Sequence, residues 1–188
     1  MAQAERAPII NKSMVITETK LKGAFVIELD QFKDERGLFA SAWSDRTFAA
    51  AGLQASFVES NLAFNHKKGT LRGMHFQLSP YEQVKLVRCT RGSIHDVIID
   101  LRRGSPTFKQ WFAVDLSADS YRLLYVPGEF AHGYLTLEDK TEVSYQTSSY
   151  YAPEHGRGVR WNDPAFNISW PAEPLIMIDR DRHYNDFS

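Results

Sequence analysis

The sequence predicts an all-β fold, a double-sheet jelly roll (double-stranded β-helix) with a few short helices, on three observations. Short runs rich in Val, Ile, Phe, Tyr and Thr fill most of the chain. Gly, Pro, Asp and Asn punctuate them roughly every ten residues, the spacing of a sandwich or barrel. Helical periodicity is weak throughout. The 188 residues suit one domain. No linker, charge run or repeat marks a boundary, so 1–188 reads as a single unit in which about the first 15 residues can form an extension.

In chain order, the candidate strands begin with GAFVIEL (23–29) and GLFASAW (37–43), each opened by a glycine. SDRTFAAAG (44–52) is the best helix, with Ser44 as N-cap and Gly52 as stop. ASFVESNLAF (55–64) and TLRGMHFQ (70–77) follow, separated by a lysine-glycine turn. VKLVRCT (84–90) sets Lys85, Val87 and Cys89 on one face, and SIHDVIIDLR (93–102) aligns Ile94, Asp96, Ile98 and Asp100. QWFAVDL (110–116), YRLLYVP (121–127), AHGYLTLE (131–138) and EVSYQTS (142–148) complete the run. Beyond WNDPAF the tail is mixed and suits a loop or short helix. Such a jelly roll has an interior roomy enough for a small ligand.

Hydrophobic content of 43% and charged content of 24% are those of an ordinary globular protein. Twenty-two basic residues balance 23 acidic ones, so no net field points to nucleic acid or to an anionic membrane. The lone Cys89 excludes an internal disulfide and a multi-cysteine metal site, and its apolar setting reads as a buried thiol. The N-terminal residues lack a signal pattern, and no window approaches a membrane span, so cytoplasmic residence is the expectation.

Candidate chemistry starts at TLRGMHFQ. Regular alternation puts His75 with Leu71 and Gly73, and Arg72 on the opposite face. Gly73 between them allows a bulge that would re-aim one of the two. His132 lies in VPGEFAHGY, which resembles the second histidine motif of the cupin superfamily. The first cupin motif needs His-x-His, which occurs nowhere here, so no metal ligand set is expected. Lys85 is a cation in apolar company if its face points inward, and a surface lysine on an edge strand if it does not. Asp96 or Asp100 is placed to orient a basic group. Tyr145, aligned with Val143 and Thr147, is either a core tyrosine or a reactive phenol. A histidine base, a cation and a phenol in one pocket suit proton abstraction beside a carbonyl, and equally suit binding of an anionic sugar.

Several segments in order and spacing resemble the dTDP-4-dehydrorhamnose 3,5-epimerase family. They are DERG (34–37), GTLRGMHFQ (69–77), KLVRCTRGSIHDVIIDLR (85–102), SPTFKQW (105–111), YVPGEFAHGYLTL (125–137), YQTSSYYAPEHGRGVRWNDP (145–164) and DRD (179–181). The resemblance implies a cupin-like barrel, no metal or organic cofactor, a homodimer, and a dTDP-linked sugar as substrate. It implies His75 as catalytic base, Asp181 as its acidic partner, Lys85 at the enolate oxygen and Tyr145 as proton donor. Arg36, Glu59, Ser60, Asn61, Arg72, His132 and Arg180 fall on substrate-binding positions. The implied reaction is epimerisation of dTDP-4-dehydro-6-deoxyglucose at carbons 3 and 5.

Three positions depart from the family pattern. Ser41 and Gly156 stand where glutamates are common, and Arg180 stands where a lysine precedes the C-terminal aspartate. Loss of a carboxylate removes hydrogen-bonding capacity that discriminates one sugar from another. A single-carbon epimerase acting on another nucleotide-deoxysugar is therefore the alternative. A catalytically silent sugar-nucleotide binding protein and a metal-dependent cupin enzyme are the readings from other classes.

Overall fold

A computed structural model describes residues 9–11 and 14–188. The expected N-terminal extension falls largely outside the described residues. Fourteen strands, β1 Ile9–Asn11, β2 Met14–Glu18, β3 Phe25–Leu29, β4 Phe32–Asp34, β5 Gly37–Phe39, β6 Glu59–Asn65, β7 Leu71–Gln77, β8 Lys85–Arg91, β9 Ser93–Asp100, β10 Trp111–Ser117, β11 Arg122–Val126, β12 Phe130–Thr136, β13 Thr141–Thr147 and β14 Gly156–Gly158, form three sheets. A seven-stranded sheet has the order β1-β2-β3-β11-β8-β13-β6, and a five-stranded sheet the order β10-β9-β12-β7-β14. The ribbon β4-β5 stands apart. Two short α-helices, α1 Asp45–Ala50 and α2 Asp179–Arg182, and 3-10 turns at Ala118–Ser120 and Pro153–His155 complete the regular structure among the described residues. Among the described residues, no helix is long and apolar enough to cross a membrane.

The inner faces of the two large sheets close on each other. Val87, Cys89, Leu124 and Val143 of the first meet Ile94, Ile98, Leu116 and Phe130 of the second in one buried cluster. Burial of the Cys89 thiol pushes its pKa up to about 11, which leaves it unreactive. The outer face of the first sheet is also covered: Phe25, Ile27, Leu123 and Tyr125 pack under Phe48 of α1. On the second sheet, Val97, Ile99 and Ala131 lie under Val159, Phe166 and Trp170 of the C-terminal segment. Strands buried on both faces read as nearly continuous apolar runs rather than alternating ones. This accounts for β12, in which every residue is buried.

Ten strands follow the sequence expectation to within a few residues, with the larger shifts at two ends. The 37–43 run is a strand only to Phe39, because Ala40 and Ala42 turn into the cluster around α1. Likewise Ala55 and Phe57 pack against α1 before β6 begins at Glu59. The helix has the expected caps: the Thr47 N–H donates to Ser44 Oγ at 3.4 Å, and Gly52 takes φ +72°. Strands β1, β2, β4 and β14 carry weak or no sequence signal. Strand β14 reads Gly-Arg-Gly, and its pairing with β7 is imposed by tertiary contact.

Candidate active site

A cavity of about 760 Å³ opens between the two sheets, a usual size for a small-molecule site. His75, Arg72 and Arg180 line it together with Lys85, Tyr145 and His132. Strict alternation would have put Arg72 on the far side of β7 from His75. Instead β7 carries an extra residue. His75 pairs with His132 and Arg72 with Tyr134, so three steps on β7 oppose two on β12. Gly73 makes this bulge, at φ +140°, where a Cβ would collide with the Gly133 backbone. A Cβ on Gly133 would in turn fall 2.6 Å from Met74 Sδ. Two facing glycines thus turn a strand phase so that both polar side chains enter one cavity.

His75 Nε2 lies 2.8 Å from Asp181 Oδ1, and the Gly73 N–H donates to Asp181 Oδ2 at 3.2 Å. Asp181 is 1% exposed, and a buried carboxylate of this kind stays ionised only with such partners. Burial pushes its pKa up, but the bonds from His75 and Gly73 and the charge of Arg180 outweigh it, and the net shift is downward. With Asp181 accepting from Nε2–H, the imidazole keeps Nδ1 as its free base nitrogen. Burial is the largest influence on His75 and lowers its pKa against the pull of Asp181, so the ring is neutral near pH 7.

Lys85, on the seven-stranded sheet, points inward beside Val87 and Cys89, which decides between its two readings. Its Nζ donates to the His75 carbonyl across the cavity at 3.3 Å. Desolvation lowers its pKa to about 8, with the negative charge of Asp96 opposing. Tyr145 sits on β13 between Asn61 and Val87, on the same wall as Lys85. Burial raises its phenol above the ordinary value, so it carries its proton at neutral pH. The base nitrogen and the phenol therefore belong to opposite sheets facing one cavity.

His132 Nε2 is bonded to Asp96 Oδ1 at 2.6 Å, so Asp96 is the carboxylate that orients a basic group inside. Asp100 instead forks onto Arg102 at the strand end. Arg72 is held by Asn65, whose Oδ1 accepts from Arg72 Nε at 2.8 Å. Arg180 NH2 lies 3.4 Å from His75 Nε2, and its Nε donates to Asp181 Oδ1 at 3.4 Å. Glu59 and Asn61 line the cavity on alternate positions of β6.

The structure does not bring every expected residue to the cavity. Ser60, between Glu59 and Asn61, projects from the opposite, exposed face of β6, because side chains alternate along a strand. Arg36 lies in the β4-β5 turn, 85% exposed, bonded to Asp34 at 2.6 Å and absent from this cavity. Of the departing positions, Gly156 lines the cavity with an ordinary φ of −64°. Ser41 does not line it: its hydroxyl donates to the Trp43 carbonyl. Nothing in the sequence marks Asn65, Gly133 or Tyr184. A lone asparagine or tyrosine carries no motif, and Gly133 acquires meaning only opposite Gly73. Among the described residues, no three His, Cys, Asp or Glu side chains are placed to hold a metal ion.

Comparison with known proteins identifies a family. The family model described as dTDP-4-dehydrorhamnose 3,5-epimerase matches residues 18–188. The protein of that name from Shigella flexneri is 40% identical over 169 residues, covering 89% of this chain and 93% of the relative. The crystal structure of the Bacillus anthracis dTDP-4-dehydrorhamnose 3,5-epimerase, with TDP and PPi bound, superposes with a TM-score of 0.90. It is 42% identical over 93% of this chain and all of that one. A 3'-monoepimerase from Streptomyces bikiniensis in complex with dTDP-quinovose is 33% identical with a TM-score of 0.80, over 87% and 83% of the two chains. Similar in sequence and fold over most of its length, the chain belongs to the dTDP-4-dehydrorhamnose 3,5-epimerase family of carbohydrate epimerases.

Proposed function

We propose that the protein epimerises dTDP-4-dehydro-6-deoxyglucose at carbons 3 and 5 through enolate intermediates, giving dTDP-4-dehydrorhamnose. The observation that carries this reading is a base on one wall facing a phenol and a cation on the other: His75 with Asp181 opposes Tyr145 and Lys85. The 4-keto group acidifies the hydrogens on both neighbouring carbons. His75 Nδ1 takes one as a proton, and the C–H electron pair moves to the carbonyl oxygen, where Lys85 stabilises the negative charge. Tyr145 returns a proton to the opposite face, inverting the centre. The phenolate then regains a proton and the imidazolium loses one, so the cycle closes without a cofactor. Arg72, Arg180 and His132, with Glu59 and Asn61, hold the nucleotide-sugar; arginine's planar fork suits its diphosphate.

The protein acts as a homodimer and a single domain in this reading. Leu62 at 65% exposure and Phe39 at 71% leave apolar surface on β6 and on the β4-β5 ribbon for a second copy to cover. Arg36, remote from its own cavity, would then serve as a substrate ligand in the partner's. A nucleotide-linked substrate and a free buried thiol both suit cytoplasmic residence.

Solvent exchange in deuterated water with dTDP-4-keto-6-deoxyglucose, followed by NMR, tests the proposal. Deuterium at carbons 3 and 5 with the rhamno product supports it; no exchange refutes it. His75→Ala is expected to abolish exchange while leaving nucleotide binding nearly unchanged. Tyr145→Phe is expected to preserve proton removal better than inversion. Deuterium at one carbon would favour the second reading, a single-carbon epimerase. That reading draws on the similarity to the 3'-monoepimerase and on Gly156, which leaves the cavity wall without a side chain.

A further inference from the structure

Asp181 and Arg180 both meet His75 at Nε2, and contacts at one nitrogen leave the imidazole free to swing about it. The other restraint on the ring comes from the end of the chain. Tyr184, just beyond α2, lines the cavity and meets the His75 ring edge to face, with centroids 6.4 Å apart and planes at 73°. That is the favourable geometry for an aromatic pair. Its own position is dictated from beneath. Gly158 pairs with His75 across β14 and β7, and a Cβ on Gly158 would collide with Cε2 and Cζ of the Tyr184 ring. Gly158 has no positive φ, and the three atoms nearest to a Cβ there all belong to Tyr184, so the ring overlying it excludes a side chain. The segment carrying Tyr184 is anchored before and after it. The Leu71 N–H donates to the Ile176 carbonyl at 2.9 Å, and the Phe187 N–H donates to Asp163 Oδ2 at 2.6 Å.

We propose that Tyr184 is a positioning residue. Its ring, seated on Gly158, fixes the plane of the His75 imidazole and shields the His75–Asp181 pair from water. This deepens the reading of His75 as the catalytic base and rests on it. Ring contact, not the hydroxyl, carries the role. The charged groups that also face His75 are Asp181, Lys85 and Arg180.

Two readouts test this, one of them without substrate. In the free protein, the His75 ring protons are titrated by NMR. Tyr184→Ala is expected to move that titration to higher pH, because the burial that depresses it is relieved. Solvent exchange into substrate is expected to slow about 10- to 100-fold in kcat with little change in KM, the signature of a misplaced base. Tyr184→Phe is expected to match the parent in both readouts. Gly158→Ala, which displaces the ring and removes no group from the cavity, is expected to reproduce Tyr184→Ala, and the double variant to be no worse than either alone. It serves equally should Tyr184→Ala fail to fold. An unchanged His75 titration and unchanged rate in Tyr184→Ala would overturn the proposal. So would a Tyr184→Phe as slow as Tyr184→Ala, since that would assign the role to the hydroxyl. If the parent protein showed no exchange at all, the epimerase reading would fall, while the titration would still decide whether Tyr184 sets the state of His75.

Discussion

Lys85→Met is expected to make the protein more stable while stopping its chemistry. The Lys85 ammonium is buried, and its pKa drops from 10.5 to about 8 in the folded state. The folded protein therefore holds this proton less tightly than the unfolded chain does. Below pH 8 the penalty is fully present, and it fades as pH rises from 8 toward 10.5. The drop from 10.5 to about 8, at ~1.4 kcal/mol for each tenfold loss of proton affinity, gives roughly 3 kcal/mol of destabilisation at pH 7. Methionine fills a similar volume without a charge, and loses one hydrogen bond to the His75 carbonyl, a loss of about 1 kcal/mol. The net gain of about 2 kcal/mol corresponds to a Tm higher by roughly 4–8 °C in a chain of this size. Thermal and denaturant melts at pH 7 and pH 10, with solvent exchange in parallel, provide the check. The reasoning is refuted if the variant is less stable than the parent at pH 7, or if the stability gap does not narrow at pH 10.

Asp181→Asn is expected to cut the exchange rate by about two to four orders of magnitude, as loss of an orienting carboxylate does elsewhere. The acid limb of its pH–rate profile should move to lower pH, because Asp181 is what raises the His75 pKa. Gly73→Ala meets both a left-handed φ and the Gly133 backbone, and is expected to cost about 3 kcal/mol or more in a denaturant melt. Asn65→Ala releases Arg72 from its 2.8 Å bond; KM for the nucleotide-sugar is expected to rise about tenfold with a smaller effect on kcat.

Much of the fold was legible because β-structure writes itself locally. The runs at 85–91, 93–100 and 141–147 combine β-branched and aromatic residues with glycine or acidic turns, and they pair as their pattern implies. Ser44 and Gly52 bracketed α1 for equally local reasons. Strand β14 was illegible, since Gly156-Arg157-Gly158 has no preference of its own and becomes a strand only because β7 offers an edge. The loss of Ala40, Ala42 and Phe57 from strands has the same cause in reverse, as packing against α1 overrode a strand-forming composition.

In the cavity the division is sharper. By itself, the sequence determined which chemical groups exist, their strand, and, through motif order, the family that uses them. His75, Lys85, Tyr145 and Asp181 could all be named from it. What only the tertiary structure decided is direction and company. Period-two alternation separated Arg72 from His75, and the bulge at Gly73 opposite Gly133 reunited them. The same alternation placed Ser60 outside while its neighbours Glu59 and Asn61 faced in. Asp181, 106 positions from His75, and Tyr184 beyond it reach the imidazole only through the path of the C-terminal segment. The physical reason is that a side chain's type is a property of one residue. Its protonation state and its aim belong to the neighbours that remove it from water, and those neighbours are set by contacts between distant parts of the chain.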